Sequence, residues 1–359
     1  MSAQGHILFR ADADEHIGSG HVMRCFALAQ AAIDAGMRAT LLTAPTSPHL
    51  AERFQAEGVA VVSLTATPAG AGDAIETAAL AHRCEAGMIV LDGYAFNAVY
   101  QRTLRSAGHP VMYVDDHAHL SHYAVDVLFN QNVYANPAMY PELEPDAELL
   151  LGSAYCLLRR DFRKCDRLQR TIPDIARHVL VTMGGADPHN TTSTVIDALS
   201  ALDAESRIRV LLGGSNRYGN DVECAIDRAG LKSVEVLRDV RDMPAQMAWA
   251  DLAITSASST CWELACMGVP MVAVTLAENQ EPIAEALEQR GIALNAGWHD
   301  RLDTDRLRSQ VGGLVNDAAT RSRMSSSGQG LVDGKGAERV LKALQSRMNL
   351  QRRSPSPCA

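Results

Sequence analysis

Short apolar segments alternate with helical patterns along most of this 359-residue chain, and this alternation constrains the fold more than any other feature. HILFRA at 6–11 is typical of a buried strand, and SGHVMRCFALAQAAIDAG at 19–36 is typical of a helix. Continuous apolar strands of this kind suit a parallel sheet with helices on both faces. Strands joined by helices favour right-handed βαβ units, so we predict an α/β, doubly wound, Rossmann-like fold.

The strand–helix pattern begins a second time near residue 177. RHVLVTMGG at 177–185 predicts a strand that ends in a glycine turn, and NTTSTVIDALSAL at 190–202 predicts the next helix. The chain length also favours two domains. The Gly- and Ser-rich segment 325–335 is expected to be a loop. The predicted organisation is a first domain at 1–158, a linker at 159–174, a second domain at 175–334, a helix at 335–349 and a disordered tail at 350–359.

Composition argues against several classes of partner. Aromatic residues make up 5% of the chain and the net charge is −9, which disfavours a nucleic-acid-binding surface. No apolar run approaches the roughly 20 residues that span a bilayer, and the first residues lack a signal-peptide pattern. The eight cysteines contain no Cys-x-x-Cys pair, which favours free thiols. We therefore expect a cytoplasmic monomer whose partner is a small molecule.

The stretch IGSGHVMRC at 17–25 places a histidine directly after a glycine loop. Glycines allow a ligand to approach the backbone closely, and the free N–H groups of a helix start favour negative charge. His21 lies in the first helical turn, where the positive end of the helix dipole disfavours the protonated ring. A neutral imidazole can act as a general base. The alternative is an ordinary tight turn, since the later glycine of a dinucleotide fingerprint is missing. The loop residues concerned are Gly18, Ser19 and Gly20, with Asp12 and Asp14 beside them.

A second candidate site lies in SASSTCWELACMGVP at 256–270, where four small residues follow a strand. Ser258, Ser259 and Thr260 offer hydroxyls and N–H groups at a helix start, which suits a diphosphate. Glu263 is placed to accept hydrogen bonds from ribose hydroxyls. A Ser or Thr with Glu three residues later is equally a capping box.

Three further strand ends supply polar or glycine residues. Gly184 and Gly185 permit close backbone approach to a ligand. The alternative is that Asp187 or Asn190 beside them only caps the next helix. The side chains of Asn279 and Gln280 are able to hydrogen-bond a sugar, and the alternative is that both residues only form a loop. Tyr94 follows an Asp-Gly pair and either reaches a substrate hydroxyl or occupies a surface turn.

Two other chemistries are not favoured. The stretch DDHAHLSH at 115–122 holds possible metal ligands, but its spacing fits no standard zinc signature, so we predict no metal and no cofactor. A G-x-S-x-G nucleophile elbow is missing from the sequence. Cys25 falls within a helix pattern and is assigned to the core.

Taken together, these stretches resemble a known family, the UDP-sugar hydrolases of the pseudaminic acid pathway. That family cleaves UDP-2,4-diacetamido-2,4,6-trideoxy-β-L-altropyranose, and its motifs are shared by spore-coat polysaccharide proteins. The matching stretches are RADADEHIGSGHVMRCFALA (10–29), LDGY (91–94), VDD (114–116), FNQN (129–132), LLGSAYCLLRRDF (150–162), MGGADPHN (183–190), SASSTCWELACMGVP (256–270), ENQ (278–280) and GKGAERV (334–340).

The resemblance implies a GT-B-like fold, in which two domains face each other across a cleft. It implies that UDP binds mainly to the carboxyl-terminal domain and that the last helix packs on the first domain. It identifies His21 with the catalytic histidine, which would activate water for inverting attack on the anomeric carbon without a metal. The substrate contacts that we assign are Asp12, Gly18, Ser19, Gly20, Arg24, Tyr94, Gly184, Gly185, Ser258, Ser259, Thr260, Glu263, Asn279 and Gln280.

Two alternatives remain open from the sequence. A GT-B glycosyltransferase would pass the sugar to an acceptor hydroxyl instead of water, using the same nucleotide site. A non-catalytic nucleotide-sugar-binding protein would bind UDP without turnover.

Overall fold

The computed structural model describes residues 5–13, 20–46, 48–164 and 170–353. The chain divides into two compact units, each with its own sheet. The first unit comprises Met1–Arg160 and Lys335–Ala359, and the second comprises Asp161–Gly334.

The sheet of the first unit has seven parallel strands in the order β3-β2-β1-β4-β5-β6-β7. The order reverses direction between β1 and β4, as a doubly wound sheet requires. The strands are β1 (His6–Ala11), β2 (Arg38–Thr43), β3 (Ala60–Ser63), β4 (Met88–Asp92), β5 (Val111–Val114), β6 (Val127–Asn130) and β7 (Glu148–Leu151).

The sheet of the second unit has six parallel strands in the order β10-β9-β8-β11-β12-β13. Its order reverses between β8 and β11 in the same way. Both parallel sheets confirm the predicted fold class. The strands are β8 (His178–Thr182), β9 (Arg207–Leu212), β10 (Val234–Arg238), β11 (Leu252–Ser256), β12 (Met271–Thr275) and β13 (Ala293–Trp298).

Helices connect the strands within each unit. None of the helices in the described ranges combines the length and apolar character that a bilayer crossing needs. The helices are α1 (Gly20–Asp34), α2 (Pro48–Ala56), α3 (Ala71–Arg83), α4 (Ala98–Ser106), α5 (Arg160–Lys164), α6 (Thr191–Ala198), α7 (Gly219–Ala229), α8 (Met243–Trp249), α9 (Thr260–Cys266), α10 (Glu281–Gln289), α11 (Thr304–Asn316), α12 (Ala318–Leu331) and α13 (Gly336–Arg353).

Side chains of the central strand β1 alternate between two apolar clusters in the first unit. Ile7 and Phe9 join the cluster that contains residues of α1 and α13, whereas Leu8 joins the cluster that contains residues of α3 and α4. This period of two follows from the pleat of a strand. From α13, Val340 and Leu344 are completely buried in the first of these clusters. The last helix is therefore part of the core of the first unit.

Three sequence predictions of local structure are corrected. The expected loop at 325–335 is helical as far as Leu331, because α12 buries Met324 against the core of the second unit despite its Gly and Ser content. The expected linker at 159–174 begins with α5. The tail expected to be disordered at 350–359 continues α13 to Arg353, and residues 354–359 lie outside the described ranges.

A buried ion pair joins β1 to α3 in the first unit. The guanidinium of Arg10 donates to both carboxylate oxygens of Asp73, at 3.0 Å from Nε and 2.7 Å from Nη2, and neither side chain is exposed. Asp73 also accepts from the hydroxyl of Tyr100 at 2.7 Å. Burial alone would raise the pKa of Asp73, but the hydrogen bonds and charge of Arg10 hold that pKa below its ordinary value.

Removal of this carboxylate charge should destabilise the protein in a pH-dependent way. Asp73→Asn is expected to lower the free energy of unfolding of the first unit at pH 7 by about 3 kcal/mol, because it leaves a buried cation short of a partner. A carboxyl whose folded pKa is depressed stabilises the fold above its unfolded pKa of about 4, and that stabilisation is lost as the pH falls through the folded pKa. Urea denaturation followed by circular dichroism should therefore show the difference from wild type shrinking below about pH 4.

The control is Glu85→Gln, because the Glu85 side chain is 85% exposed and lies 3.7 Å from its partner Arg38. It should leave both the stability and its pH profile unchanged. A difference between Asp73→Asn and wild type that stays constant from pH 7 to pH 3 would contradict the assignment.

Candidate active site

Four polar side chains meet at the carboxyl edge of the first sheet. Asp92 is the last residue of β4, and Asp116 follows β5 by two residues. His21 and Arg24 lie in the first turns of α1, the helix that follows β1. The sheet places β1, β4 and β5 side by side, so the ends of these strands bring the four residues together.

His21 is held by Asp92 through one ring nitrogen. Nδ1 of His21 lies 2.6 Å from Oδ1 of Asp92. Nη2 of Arg24 also lies 3.1 Å from Nδ1. A guanidinium only donates and a carboxylate only accepts, so we assign the shorter contact, with Nδ1 as donor to Asp92, which leaves the lone pair of the neutral ring on Nε2. Among the described residues, no hydrogen bond occupies Nε2, and the His21 side chain is 10% exposed. The arrangement is that of an imidazole oriented by a carboxylate to accept a proton.

Arg24 bridges the two carboxylates of the site. Its Nε and Nη2 donate to the two oxygens of Asp92 at 3.0 and 2.8 Å, and its Nη1 donates to Asp116 at 2.6 Å. Burial alone would raise the pKa of Asp116, but the charge and hydrogen bonds of Arg24 hold that pKa well below its ordinary value. The guanidinium of Arg24 therefore contacts both carboxylates with one buried positive charge.

Two further side chains position Asp116. The hydroxyl of Tyr94 donates to Oδ2 of Asp116 at 2.8 Å, and the amide of Asn132 donates to Oδ1 at 2.9 Å. The Tyr94 ring also packs edge-on against the ring of His21, with centroids 4.8 Å apart. Tyr94 thus contacts both ends of the network, and its predicted role as a substrate ligand stays a prediction.

The loop before α1 is only partly described. Asp12 accepts from Nη1 of Arg10 at 2.5 Å and from the backbone N–H of Ala44 at 2.7 Å, and no hydrogen bond of the described residues joins it to His21. A Cβ added at Gly20 would meet no atom within 4 Å. The predicted residues Gly18 and Ser19 lie outside the described ranges, as does Asp14.

The histidine-rich stretch lies next to this network. Asp115 is buried and accepts from the backbone N–H groups of Asp116 and Ala118, at 2.8 and 3.0 Å. His119 lies 3.3 Å from Asp115, and the hydrogen bond and charge of that carboxylate raise the pKa of His119 above its ordinary value.

Cys25 belongs to the core, and burial raises the pKa of its thiol well above the ordinary range, which argues against a nucleophilic role.

In the second unit, glycine loops converge at the carboxyl edge of the sheet. Gly184 has a left-handed φ of 84°, and a Cβ added there would lie 3.6 Å from Oγ of Ser256. A Cβ added at Gly213 would lie 2.3 Å from the carbonyl oxygen of Gly185, so these two backbones touch and only glycine fits. The loops after β8, β9 and β11 therefore form one surface.

Hydroxyl groups line the start of α9 on this surface. Ser258 and Ser256 share a hydrogen bond of 3.0 Å between their hydroxyls. Ser259 is the N-cap residue of α9, yet its side chain makes no capping hydrogen bond. Within the described part of the chain, the hydroxyls of Ser259 and Thr260 have no hydrogen-bond partner. Ser259 therefore does not cap α9, and the capping box of Thr260 with Glu263, three residues later, stays an open alternative.

The remaining predicted residues of this unit follow neighbouring strands. Gln280 accepts from the backbone N–H of Leu276 at 2.9 Å, which fixes the loop after β12. Asn279 lies in the same short 3₁₀ turn, and Glu263 lies in the first turn of α9. Asp187 accepts from the N–H groups of Thr191 and Thr192 at 2.9 and 3.0 Å, which confirms the helix-capping alternative for this residue.

Three functional features were missed from the sequence. Asp92 and Asp116 were not predicted as partners of His21 and Arg24, and Gly213 was not singled out. Each lies at the end of an observed strand, β4, β5 or β9, in the stretches LDGY, VDD and LLGG. Their position at strand ends was the available signal, but which strand ends are neighbours depends on strand order.

Comparisons with known proteins agree with the two-sheet architecture. Residues 178–340 match the model of the glycosyltransferase family 28 C-terminal domain. The crystal structure of MurG from Acinetobacter baumannii superposes with a TM-score of 0.68 over 95% of this chain and 99% of that one, at 16% identity. Anabaena Alr3699/HepE in complex with UDP and glucose gives a TM-score of 0.64 over 95% and 99%, at 17% identity. The chain therefore has the two-domain GT-B fold of glycosyltransferases.

Two curated relatives show similarity at the level of sequence. The spore coat polysaccharide biosynthesis protein SpsG of Bacillus subtilis is 24% identical over 61% of this chain and 64% of its own length. The UDP-N-acetylglucosamine–N-acetylmuramyl-(pentapeptide) pyrophosphoryl-undecaprenol N-acetylglucosamine transferase of Alkalilimnicola ehrlichii is 31% identical over 43% of this chain and 44% of its own length. The chain thus spans less than two thirds of the length of either relative.

The orientation of His21 can be tested without any substrate. In wild type, the neutral ring should carry its proton on Nδ1, because Asp92 accepts there. Asp92→Asn replaces one acceptor oxygen with an amide and should shift the ring toward the Nε2–H tautomer. Nitrogen-15 NMR of the histidine side chains measures the tautomer directly. An unchanged His21 tautomer in Asp92→Asn, with His122 as the reference signal, would rule out control by Asp92.

Proposed function

We propose that the chain is a nucleotide-sugar-dependent GT-B enzyme that uses His21 to activate an oxygen nucleophile for attack on the anomeric carbon of a UDP-sugar. The observation on which this depends most is the 2.6 Å contact between Nδ1 of His21 and Oδ1 of Asp92. It supports a ring whose free Nε2 accepts a proton while the developing imidazolium is stabilised by an ionised carboxylate.

The reaction balances with one base and one leaving group. The nucleophile's oxygen bonds to the anomeric carbon, its proton passes to Nε2 of His21, and the bond from that carbon to the phosphate oxygen breaks. UDP departs with the bonding electrons, and backside attack inverts the configuration. Arg24 donates to both oxygens of Asp92 and is assigned as a positioning residue.

The second unit is proposed to bind the nucleotide. The adjoining loops at Gly184, Gly185 and Gly213 expose backbone, and the hydroxyls of Ser259 and Thr260 are unoccupied in the described chain. Hydroxyls and backbone N–H groups are the usual donors to a diphosphate, and they stabilise the charge that develops on it. The match of residues 178–340 to a glycosyltransferase domain supports the same assignment.

The nucleophile is proposed to be an acceptor hydroxyl, which makes the protein a glycosyltransferase. This choice is supported by the family 28 match and by the transferase among the sequence relatives. These comparisons favour the alternative stated from the sequence over hydrolysis.

Hydrolysis is the second candidate, and a specific observation favours it. Residues 10–29, which resemble the UDP-sugar hydrolases, contain His21 and Arg24, whereas the family 28 match begins at residue 178. The family 28 match thus covers the second unit, which is proposed to bind the nucleotide. The proposed base, His21, lies in the first unit. A 2,4-diacetamido-2,4,6-trideoxy sugar linked to UDP would then be the substrate and water the nucleophile, in pseudaminic acid synthesis.

Replacement of the base should separate catalysis from binding. His21→Asn is expected to lower turnover of a UDP-sugar by about 10²–10⁴-fold, the usual contribution of a general base. The affinity for UDP should stay the same in calorimetry, since the nucleotide is assigned to the second unit. The matched control is His82→Asn, which changes an exposed histidine on α3 of the same unit and should keep full turnover. Near-normal turnover in His21→Asn would remove His21 from its role.

The nucleophile can be identified by one assay with two arms. Purified protein is incubated with a panel of UDP-sugars, with and without candidate acceptor sugars, and UDP release is measured. A transferase should release UDP at least about tenfold faster with its acceptor present, because bound acceptor replaces a poorly positioned water. Equal and rapid release without acceptor identifies the hydrolase, and proton NMR of the first-formed sugar then reports the anomeric configuration. Binding of UDP with no release in either arm contradicts both enzymatic assignments.

A further inference from the structure

Three potential metal ligands converge in the loop after β5. Asp115, His117 and His119 each offer one ligand atom, and these atoms lie within 4.8 Å of one another. The two imidazoles stack, with ring centroids 4.9 Å apart and planes inclined by 26°. Asp115 is buried, whereas both histidines are reachable from solvent. One carboxylate and two imidazoles are a donor set that suits zinc and related divalent ions.

The two ring nitrogens of His119 have different hydrogen-bond partners. Nε2 of His119 lies 3.0 Å from the carbonyl oxygen of Tyr94, which only accepts, so Nε2 carries a proton. In the neutral ring, Nδ1 is then an acceptor, and it lies 3.3 Å from Oδ1 of Asp115, another acceptor. This contact is either the N–H···O hydrogen bond of a protonated ring or one in which a metal ion takes the place of that proton.

The separation suits a metal ion. Two ligand atoms bound to zinc at about 2.0–2.1 Å in a tetrahedron lie about 3.3 Å apart. Charge-assisted N–H···O hydrogen bonds are shorter, at about 2.7–2.9 Å. The donation from Nε2 to a backbone carbonyl is also the contact that typically orients a metal-binding histidine. Oδ1 of Asp115 also accepts from the backbone N–H groups of Asp116 and His117, at 2.8 and 3.3 Å. Oδ2 accepts from Ala118 N–H and the hydroxyl of Tyr123, at 3.0 and 2.8 Å.

We propose that Asp115, His117 and His119 form a binding site for a divalent transition-metal ion of the zinc class, through Oδ1 of Asp115, Nδ1 of His119 and one ring nitrogen of His117. Solvent completes the coordination, because His117 and His119 lie at the surface. The site was not predicted from the sequence, since its spacing follows no zinc signature. The left-handed backbone at Ala118, with a φ of 55°, lies between the two histidines that the loop brings together.

The site adjoins the candidate active site through one aromatic ring. The ring of Tyr94 packs edge-on against His117 and against His21, with centroid distances of 4.9 and 4.8 Å. Metal coordination would fix both histidine rings beside Tyr94. Binding of the cation is therefore expected to change the environment of the His21 ring. The proposed metal site does not depend on the reaction that His21 performs.

The test uses the full chain, stripped of metal with a chelator and titrated with ZnCl₂ alone in a calorimeter. Wild type should bind about one equivalent, and His117→Ala and His119→Ala should each weaken that binding at least about tenfold. His117 is exposed, so His117→Ala should keep the circular dichroism spectrum of wild type. The matched control is His122→Ala in the same loop, because His122 faces Glu144 at 3.5 Å and lies outside the ligand set.

A second measurement reports the link to the active site. Saturating Zn²⁺ should shift the ring-proton NMR signals of His21 in wild type but leave them in place in His117→Ala. Zinc binding that is no tighter in wild type than in His117→Ala, or an equal loss in His122→Ala, would overturn the proposed site. Zinc binding without any shift at His21 would overturn the link through Tyr94 and keep the site.

Discussion

The guanidinium of Arg24 is the interaction on which the candidate active site depends. Its three nitrogens reach Asp92 and Asp116, which end neighbouring strands and would otherwise place two carboxylates close together in the interior. An uncompensated buried charge is strongly unfavourable, and removal of one partner of such a pair typically costs about 3–5 kcal/mol. The same guanidinium fixes the carboxylate of Asp92 beside Nδ1 of His21. The orientation of the candidate base thus depends on a cation whose own role is positioning.

Arg10 also neutralises a buried carboxylate in the interior of the first unit, but this pair holds β1 to α3 and is not part of the candidate active site. Its partner Asp73 comes from α3, and the pair is completely buried between the sheet and that helix. Formation of such a buried pair adds little net stability, whereas loss of one partner is strongly destabilising. Asp12 is engaged by the same guanidinium. Because Asp12 is paired with Arg10, its position beside the glycine loop does not require it to bind substrate.

Much of the architecture could be predicted from sequence periodicity. The apolar runs at 6–11 and 177–185 indicated buried parallel strands, because a strand covered on both faces has no polar side. The strands β6, β7 and β13 were not predicted, since runs such as ELLL are too short to be distinguished from loops. The helix α12 was missed because Gly and Ser are poor helix formers, and tertiary packing outweighs propensity there.

The candidate site was harder to predict, for a topological reason. His21 was identified because its position after a glycine loop is a local signal. Its partner Asp92 is 71 residues away, and Asp116 is 92 residues from Arg24, so their contacts follow only from the order of strands in the sheet. The same holds for Gly185 and Gly213, whose contact requires β8 beside β9. Local motifs identify strand ends, and the fold decides which ends meet.

On the proposed function, the choice between water and an acceptor hydroxyl belongs to the first unit. A base oriented by a carboxylate removes a proton from either nucleophile, so the pair of His21 and Asp92 does not distinguish them. The diphosphate is the leaving group in both reactions, so the second unit does not distinguish them either. The family 28 match covers 178–340 and contains none of the residues around His21. Selection of the nucleophile must therefore come from residues that shape the approach to Nε2, which is where substitutions should convert one activity into the other.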